Sequence, residues 1–373
     1  MKRIKILSAF GTRPEAVKMC PLVKRLEQTP SVESVVCLTG QHREMLDPVM
    51  EIFGVRAQYD LGLMRPGQSL AALTAAILTG MEQVLAAEKP DLVLVHGDAA
   101  TSSAAALAAF YQKIPVGHVE AGLRTGERYA PFPEEMNRRL TGQLASLHFA
   151  PTVQNAENLA AEGITEGVYV TGNTVMDALH ATVRPDYRFR SDALRVLNMD
   201  GKRLVLVTAH RRENWGEGLE NICRAVQDLA ERFADTEFIW PVHLNPTVRD
   251  TVLPRLQGCV RVHPIEPLDV EDMHNLIARS YLILTDSGGL QEEGPACGVP
   301  VLVLRARTER PEAVQTNTVR VVGVQREDIV RETERLLTDE TAYRAMARTA
   351  APYGDGHASE RIVERLLDYF SGK

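Results

Sequence analysis

Short runs of apolar residues alternate with longer stretches whose apolar positions recur every three or four residues, almost from end to end of the chain. Six short runs in the first half read as buried strands: Ile4–Ala9, Val35–Thr39, Leu92–His96, Val116–Glu120, Leu147–Ala150 and Val168–Thr171. Between them Ala16–Gln28, Leu70–Ala87 and Thr101–Tyr111 carry the helical spacing. The rhythm lapses from about His180 to Lys202, around Arg184-Pro185-Asp186, and restarts with Leu204–Thr208, Glu237–Val242, Val260–Val262, Tyr281–Thr285 and Val299–Leu304. Strand–helix alternation implies parallel sheets covered on both faces. The expectation is therefore α/β, two Rossmann-like doubly wound domains, over 1–180 and 200–355.

In such sheets ligands sit at the carboxyl ends of strands, and the polar motifs fall there. Gly11-Thr12-Arg13 follows the first strand, His96-Gly97-Asp98 and Glu120 end two others, and His210-Arg211-Arg212-Glu213 opens the second half. The motifs of both halves are expected to face one interdomain cleft. The most telling stretch is Leu282 to Glu293, where a buried run stops at Asp286-Ser287-Gly288-Gly289 and passes into a helical segment with Glu292 and Glu293. Glycines admit close backbone approach, and a helix N-terminus suits a diphosphate. Glu293, a turn further in, is placed to accept from ribose hydroxyls.

Composition narrows the class. A chain of 373 residues exceeds what one core usually serves, and 45% hydrophobic with 24% charged residues is ordinary for a globular protein. With 42 basic against 49 acidic residues the net charge is −7, which makes nucleic acid a poor partner. Five scattered cysteines without a C-x-x-C pair favour free thiols in a reducing, cytoplasmic compartment. Met1-Lys2-Arg3 and Ile4 to Phe10 read as a first strand rather than a leader, and no apolar stretch is expected to approach bilayer-spanning length.

Candidate chemistry rests on carboxylates. Asp98 and Glu120 end buried runs, where an acidic group is costly unless paired or used. Glu134-Glu135 follow Pro131-Phe132-Pro133 at a helix start, and Glu135 there has a structural reading as dipole compensation. Acid–base work on a sugar needs such groups on both faces of the ring. Arg13 and Lys18 can reach phosphate oxygens, and His210 stands out among the histidines by its strand-end position, whereas His118 reads as a core residue. No G-x-G-x-x-G loop follows the first strand and no H-x-x-H set occurs, so neither a nicotinamide cofactor nor a metal is expected.

Taken together, these strings resemble the non-hydrolysing UDP-N-acetylglucosamine 2-epimerases. The resemblance runs through Gly11 to Lys18, Gln41-His42-Arg43, His96-Gly97-Asp98, Gly117 to Gly126, Pro131 to Glu135, Thr171 to Thr174, His210 to Asn214, Pro241 to Pro246, the Ser287 loop, Thr308 to Glu312 and Pro352 to Gly356. It implies a GT-B glycosyltransferase-type fold, a homodimer, and a last helix, about 358–373, that packs on the first domain. Arg13, Lys18, His210, Ser287, Gly288, Gly289, Glu293 and Arg310 would bind UDP, and Asp98, Glu120 and Glu134 would act on the sugar. The implied reaction is reversible epimerisation at C2 through elimination of UDP to 2-acetamidoglucal, with His210 assisting departure of UDP and surface polysaccharide synthesis as its destination. A second, activating UDP-N-acetylglucosamine would use Gln41, His42, Arg211 and His243. Glu44 and Gly67 stand where relatives with the Ile265-Glu266-Pro267-Leu268 loop carry glutamine and arginine, so weak activation is expected. The alternative readings are a C2 epimerase of a modified UDP-N-acetylamino sugar and a retaining UDP-sugar glycosyltransferase.

Overall fold

The computed structural model describes residues 3–40, 43–65, 67–199, 201–308, 310–349 and 352–372. The chain divides into two compact units, one of Met1–Ala181 with Tyr353–Lys373 and one of Thr182–Pro352. The first holds β1 (Ile4–Phe10), β2 (Val32–Leu38), β3 (Tyr59–Asp60), β4 (Leu92–His96), β5 (Val116–Val119), β6 (Leu147–Ala150) and β7 (Val168–Val170). All pair in parallel, in the order β3-β2-β1-β4-β5-β6-β7. The second holds β8 (Arg203–Thr208), β9 (Thr236–Pro241), β10 (Val262–Ile265), β11 (Leu282–Thr285), β12 (Val301–Val303) and β13 (Val319–Val321), ordered β10-β9-β8-β11-β12-β13. The expected α/β class with two doubly wound parallel sheets is the architecture found.

Each sheet reverses its winding once, between β1 and β4 in the first unit and between β8 and β11 in the second. Helices leave opposite faces on either side of such a switch point, which opens a crevice at the strand ends. Four of the polar motifs lie on the loops after those four strands.

Local chemistry explains where strands begin and end. Arg261 has φ +62, outside the range a strand tolerates, so β10 starts at Val262 and not at the expected Val260, which is exposed. β3 and β13 went unforeseen because two residues, or three with Arg320 in the middle, carry no readable alternation.

The helix Leu70–Glu88 corrects the expectation that no apolar stretch nears bilayer length, since its 19 residues are long and apolar enough to cross a membrane. Its outer face is mostly alanine and threonine, with Leu70, Glu82 and Gln83. Its inner stripe, Leu73, Ile77, Met81, Val84 and Leu85, packs with Leu7, Ala9, Val93 and Val95 of the sheet. In the second unit Trp240, Phe238 and Ile222 anchor the corresponding core.

Residues after 181 are bound to the second unit through the helix Val270–Arg279. Asp272 accepts from Tyr187 Oη (2.9 Å) and the N–H groups of Arg190 (2.9 Å) and Ser191 (2.8 Å). The chain re-enters the first unit at Tyr353, whose carbonyl accepts from Asn173 N (2.6 Å). Asp177 then caps the helix Ala358–Ser371 by accepting from Ala358 N (3.1 Å) and Ser359 N (2.8 Å).

Candidate functional site

At the first switch point Thr12 caps the helix Arg13–Glu27. Glu15 reaches back to the N–H groups of Gly11 (3.0 Å) and Thr12 (2.8 Å), a capping box. Burial raises the Glu15 carboxyl above its ordinary value, and the Gly11 N–H opposes that. Gly11 is required by space, because a Cβ there would lie 1.9 Å from Thr39 Oγ1. Arg13 sits partly buried in the first turn.

One helical turn on, Lys18 ion-pairs with Glu120. The same Glu120 oxygen accepts from Asn173 Nδ2 (3.1 Å) and lies 3.4 Å from His96 Nε2. Glu120 has φ +61, a left-handed conformation that a residue with a Cβ adopts only at a cost. It follows β5 directly, so the turn aims its carboxylate back across the strand ends.

Asp98 is held separately. Arg138, buried on the helix Glu134–Leu144, places Nε 2.8 Å and Nη2 2.5 Å from Asp98 Oδ2. Its Nη1 lies 3.4 Å from Glu135, which is fully buried and also accepts from Thr125 N (3.1 Å) and Arg139 Nε (3.3 Å). Glu135 thus serves structure. Glu134 differs: its Oε2 is buried without a hydrogen-bond partner. His118 is a core residue, its Nε2 2.8 Å from the Gly97 carbonyl, and burial draws its pKa down to about 3.

At the second switch point the organiser is Asp286, fully buried after β11. Its Oδ2 accepts from His210 N (2.9 Å), Arg211 N (2.8 Å) and Asn214 Nδ2 (3.0 Å), which joins the β8 and β11 loops. The His210 and His243 rings stack at 5.2 Å and 17°. Burial lowers both histidines below their ordinary pKa, and Asp286 opposes the shift in each.

The Ser287 N–H donates to Thr285 Oγ1 (2.9 Å), so this amide already has a partner within the loop. Gly289 has an ordinary helical φ of −61, and an added Cβ would only touch Glu293 Oε1 at 3.4 Å, so neither backbone nor space demands a glycine there and a larger side chain would crowd Glu293. Glu293 is partly buried, with His274 Nε2 4.0 Å away. Arg310 is buried against Glu292, Nε to Oε1 2.8 Å, so part of its charge is already answered.

Lys18 and Glu120 therefore meet in the first unit, with Asp98 beside its own arginine. His210, His243 and the Ser287 loop meet in the second. Gln41, His42 and Glu309 lie outside the described residues, as does the side chain of Glu44. Gly67 has φ +72 and open space around a would-be Cβ. Sequence reasoning assigned no role to Arg138, Asn173 or Asp286. The available signals were a cation three residues after Glu135, an amide just beyond β7, and the first polar residue after a fully buried strand. Among the described residues no group of three or more His, Cys, Asp or Glu is placed to hold a metal ion.

Comparison with known proteins identifies the family. A family model described as UDP-N-acetylglucosamine 2-epimerase matches residues 24–367. The UDP-N-acetylglucosamine 2-epimerase of Bacillus subtilis is 49% identical over 99% of this chain and 97% of its own length. That of Escherichia coli K12 is 51% identical over 97% and 98%. Among solved structures, UDP-GlcNAc 2-epimerase from Neisseria meningitidis bound to UDP-GlcNAc superposes with a TM-score of 0.93 at 47% identity, covering 98% of this chain and all of that one. With a family model over most of its length and relatives near half identical from end to end, this α/β enzyme of the GT-B-like fold belongs to the UDP-N-acetylglucosamine 2-epimerase family.

Proposed function

We propose that this chain interconverts UDP-N-acetylglucosamine and UDP-N-acetylmannosamine by eliminating and re-adding UDP. The observation that carries this reading is the set of three carboxylates in the first unit, two at strand ends and one at a helix start. Glu120 is held by Lys18, Asp98 by Arg138, and Glu134 keeps a buried oxygen unpartnered. Two carboxylates set against cations, with a third on the helix that carries Arg138, are suited to taking a proton from one face of a sugar and returning one to the other.

The C2 proton is not acidic by itself. Its removal becomes feasible as the C1–O bond breaks, so that a carboxylate takes the proton, the C2–H electron pair forms the C1=C2 bond of 2-acetamidoglucal, and UDP leaves with the C1–O pair. Re-addition of UDP oxygen to C1, with a proton delivered to the opposite face of C2, gives the epimer. Arg13, Lys18, His210, the Ser287–Gly289 loop and Arg310 would answer the diphosphate charge that grows as UDP departs. Glu293 would accept from the ribose.

The same reading includes a homodimer in the cytoplasm, feeding surface polysaccharide synthesis. Leu70, Phe110 and Tyr111 are exposed on the first unit, apolar surface that a second copy would cover. All five cysteines are free thiols, in keeping with a reducing compartment.

Reaction in D2O with UDP-N-acetylglucosamine as the sole substrate tests the route. Deuterium at C2 of the product is expected. Product that retains all of its original C2 hydrogen overturns it.

A further inference from the structure

Asp286 is fully buried, yet only one of its oxygens is engaged. Oδ2 takes the N–H groups of His210 and Arg211 and the Asn214 amide, while Oδ1 is buried without a hydrogen-bond partner. A carboxylate oxygen left bare in the interior is costly. Facing it, at 3.5 Å, is Nδ1 of His210. That separation is longer than a full hydrogen bond, and no other donor engages Oδ1.

The ring is otherwise well confined. It stacks on His243, whose own Nδ1 accepts the Asn245 N–H (3.1 Å) and so carries no proton. The His210 carbonyl accepts from Trp215 Nε1 (3.3 Å).

We propose that Asp286 is a positioning residue for His210, its Oδ1 accepting the Nδ1–H of the imidazole, so that the ring is held in one orientation and, once it gains its second proton, donates Nε2–H to the departing UDP. This rests on the reading of His210 as a group that acts on the nucleotide. A carboxylate in that position fixes the proton on Nδ1 and stabilises the imidazolium, the logic of a histidine oriented by a buried aspartate. The charged and titratable groups facing His210 are Asp286, His243 and Arg211. Burial, His243 and Arg211 push its pKa down, and Asp286 pushes it up.

Asp286→Asn is the informative substitution, because the asparagine carbonyl can still serve the three Oδ2 donors while its amide N–H turns toward Nδ1 and drives the proton to Nε2. Three measurements decide the matter. In the unsubstituted enzyme, ¹⁵N imidazole NMR is expected to show His210 protonated on Nδ1, and a proton on Nε2 with a bare Nδ1 overturns the proposal whether or not any variant folds. In turnover assays D286N is expected to lower kcat by at least about 10-fold and to move the basic limb of the pH profile to lower pH, since the imidazolium loses the charge that sustained it. In a His210→Ala background D286N is expected to cost less than about 2-fold, because a residue acting through the imidazole has nothing left to orient. Equal losses in both backgrounds, or an unmoved limb, would leave Asp286 a purely structural residue. If His210→Ala alone turns over normally, it is the nucleotide role of His210 that fails.

Discussion

The two sheets share a strand order around their switch points and equip them differently. In the first unit the carboxylates after β4 and β5 are held by cations from helices, Asp98 by Arg138 and Glu120 by Lys18, with Glu120 in a costly backbone conformation. In the second the loops after β8 and β11 are drawn together by Asp286, beside a stacked pair of imidazoles and the partly buried Glu293. Proton transfer needs charged groups whose ionisation is controlled, whereas holding a nucleotide needs a rigid frame of donors and acceptors. Strand order settles where each site lies, and the residues on the loops settle what it does.

The sharpest way to break that contrast is to neutralise the first unit's carboxylates. Glu120→Gln, Asp98→Asn and Glu134→Gln are each expected to lower turnover by roughly 10²–10⁴ with UDP binding retained, if each moves a proton. Steady-state kinetics beside calorimetric titration of UDP would check this. Normal turnover with a lowered melting temperature would make the carboxylate structural.

A second contrast concerns stability. Burial draws His118 down to about 3 and His148 to about 4, both in the first unit. In the unfolded chain the same residues take up a proton near about 6.5. Below that value the unfolded state binds more protons than the folded one, so stability is full above about pH 7 and falls as pH drops toward 4. The slope approaches about 1.4 kcal/mol per pH unit for each histidine. Urea unfolding at several pH values is expected to show this fall, and His118→Gln to flatten it. An equal slope in the variant would remove His118 as the cause.

In the second unit Glu293→Ala is expected to weaken UDP binding by about 1.5–3 kcal/mol while C2 exchange chemistry persists at saturating substrate. Gly289→Val is expected to act in the same direction, since its branches would press on Glu293. Calorimetry giving unchanged UDP affinity in both would move the nucleotide elsewhere. The smallest expected effect is in activation. With Gly67 offering no guanidinium and Glu44 bringing a negative charge, forward kinetics should be nearly hyperbolic, and strong sigmoidality in initial rates would contradict that.

The alternation of strand and helix, the carboxylates at Asp98 and Glu120 and the Asp-Ser-Gly-Gly turn were all legible in the linear chain, because burial periodicity and turn chemistry are local properties. The family strings added the reaction. Strand order, and with it the meeting of the Gly11 loop with the Asp98 loop, is decided by long-range pairing of β1 with β4, whose partners Ile6 and Leu92 are far apart in sequence. The partners of the reactive groups were hidden for the same reason. Lys18 reaches Glu120 across 102 positions, Arg138 reaches Asp98 across 40, and Asn214 reaches Asp286 across 72. An isolated charge in a sequence has no visible counterion, and only packing brings one within hydrogen-bonding distance. The sequence alone thus determined which residue types stand at the strand ends, while the tertiary structure decided which are held by a neighbour and which, like Glu134 Oε2 and Asp286 Oδ1, are left without one.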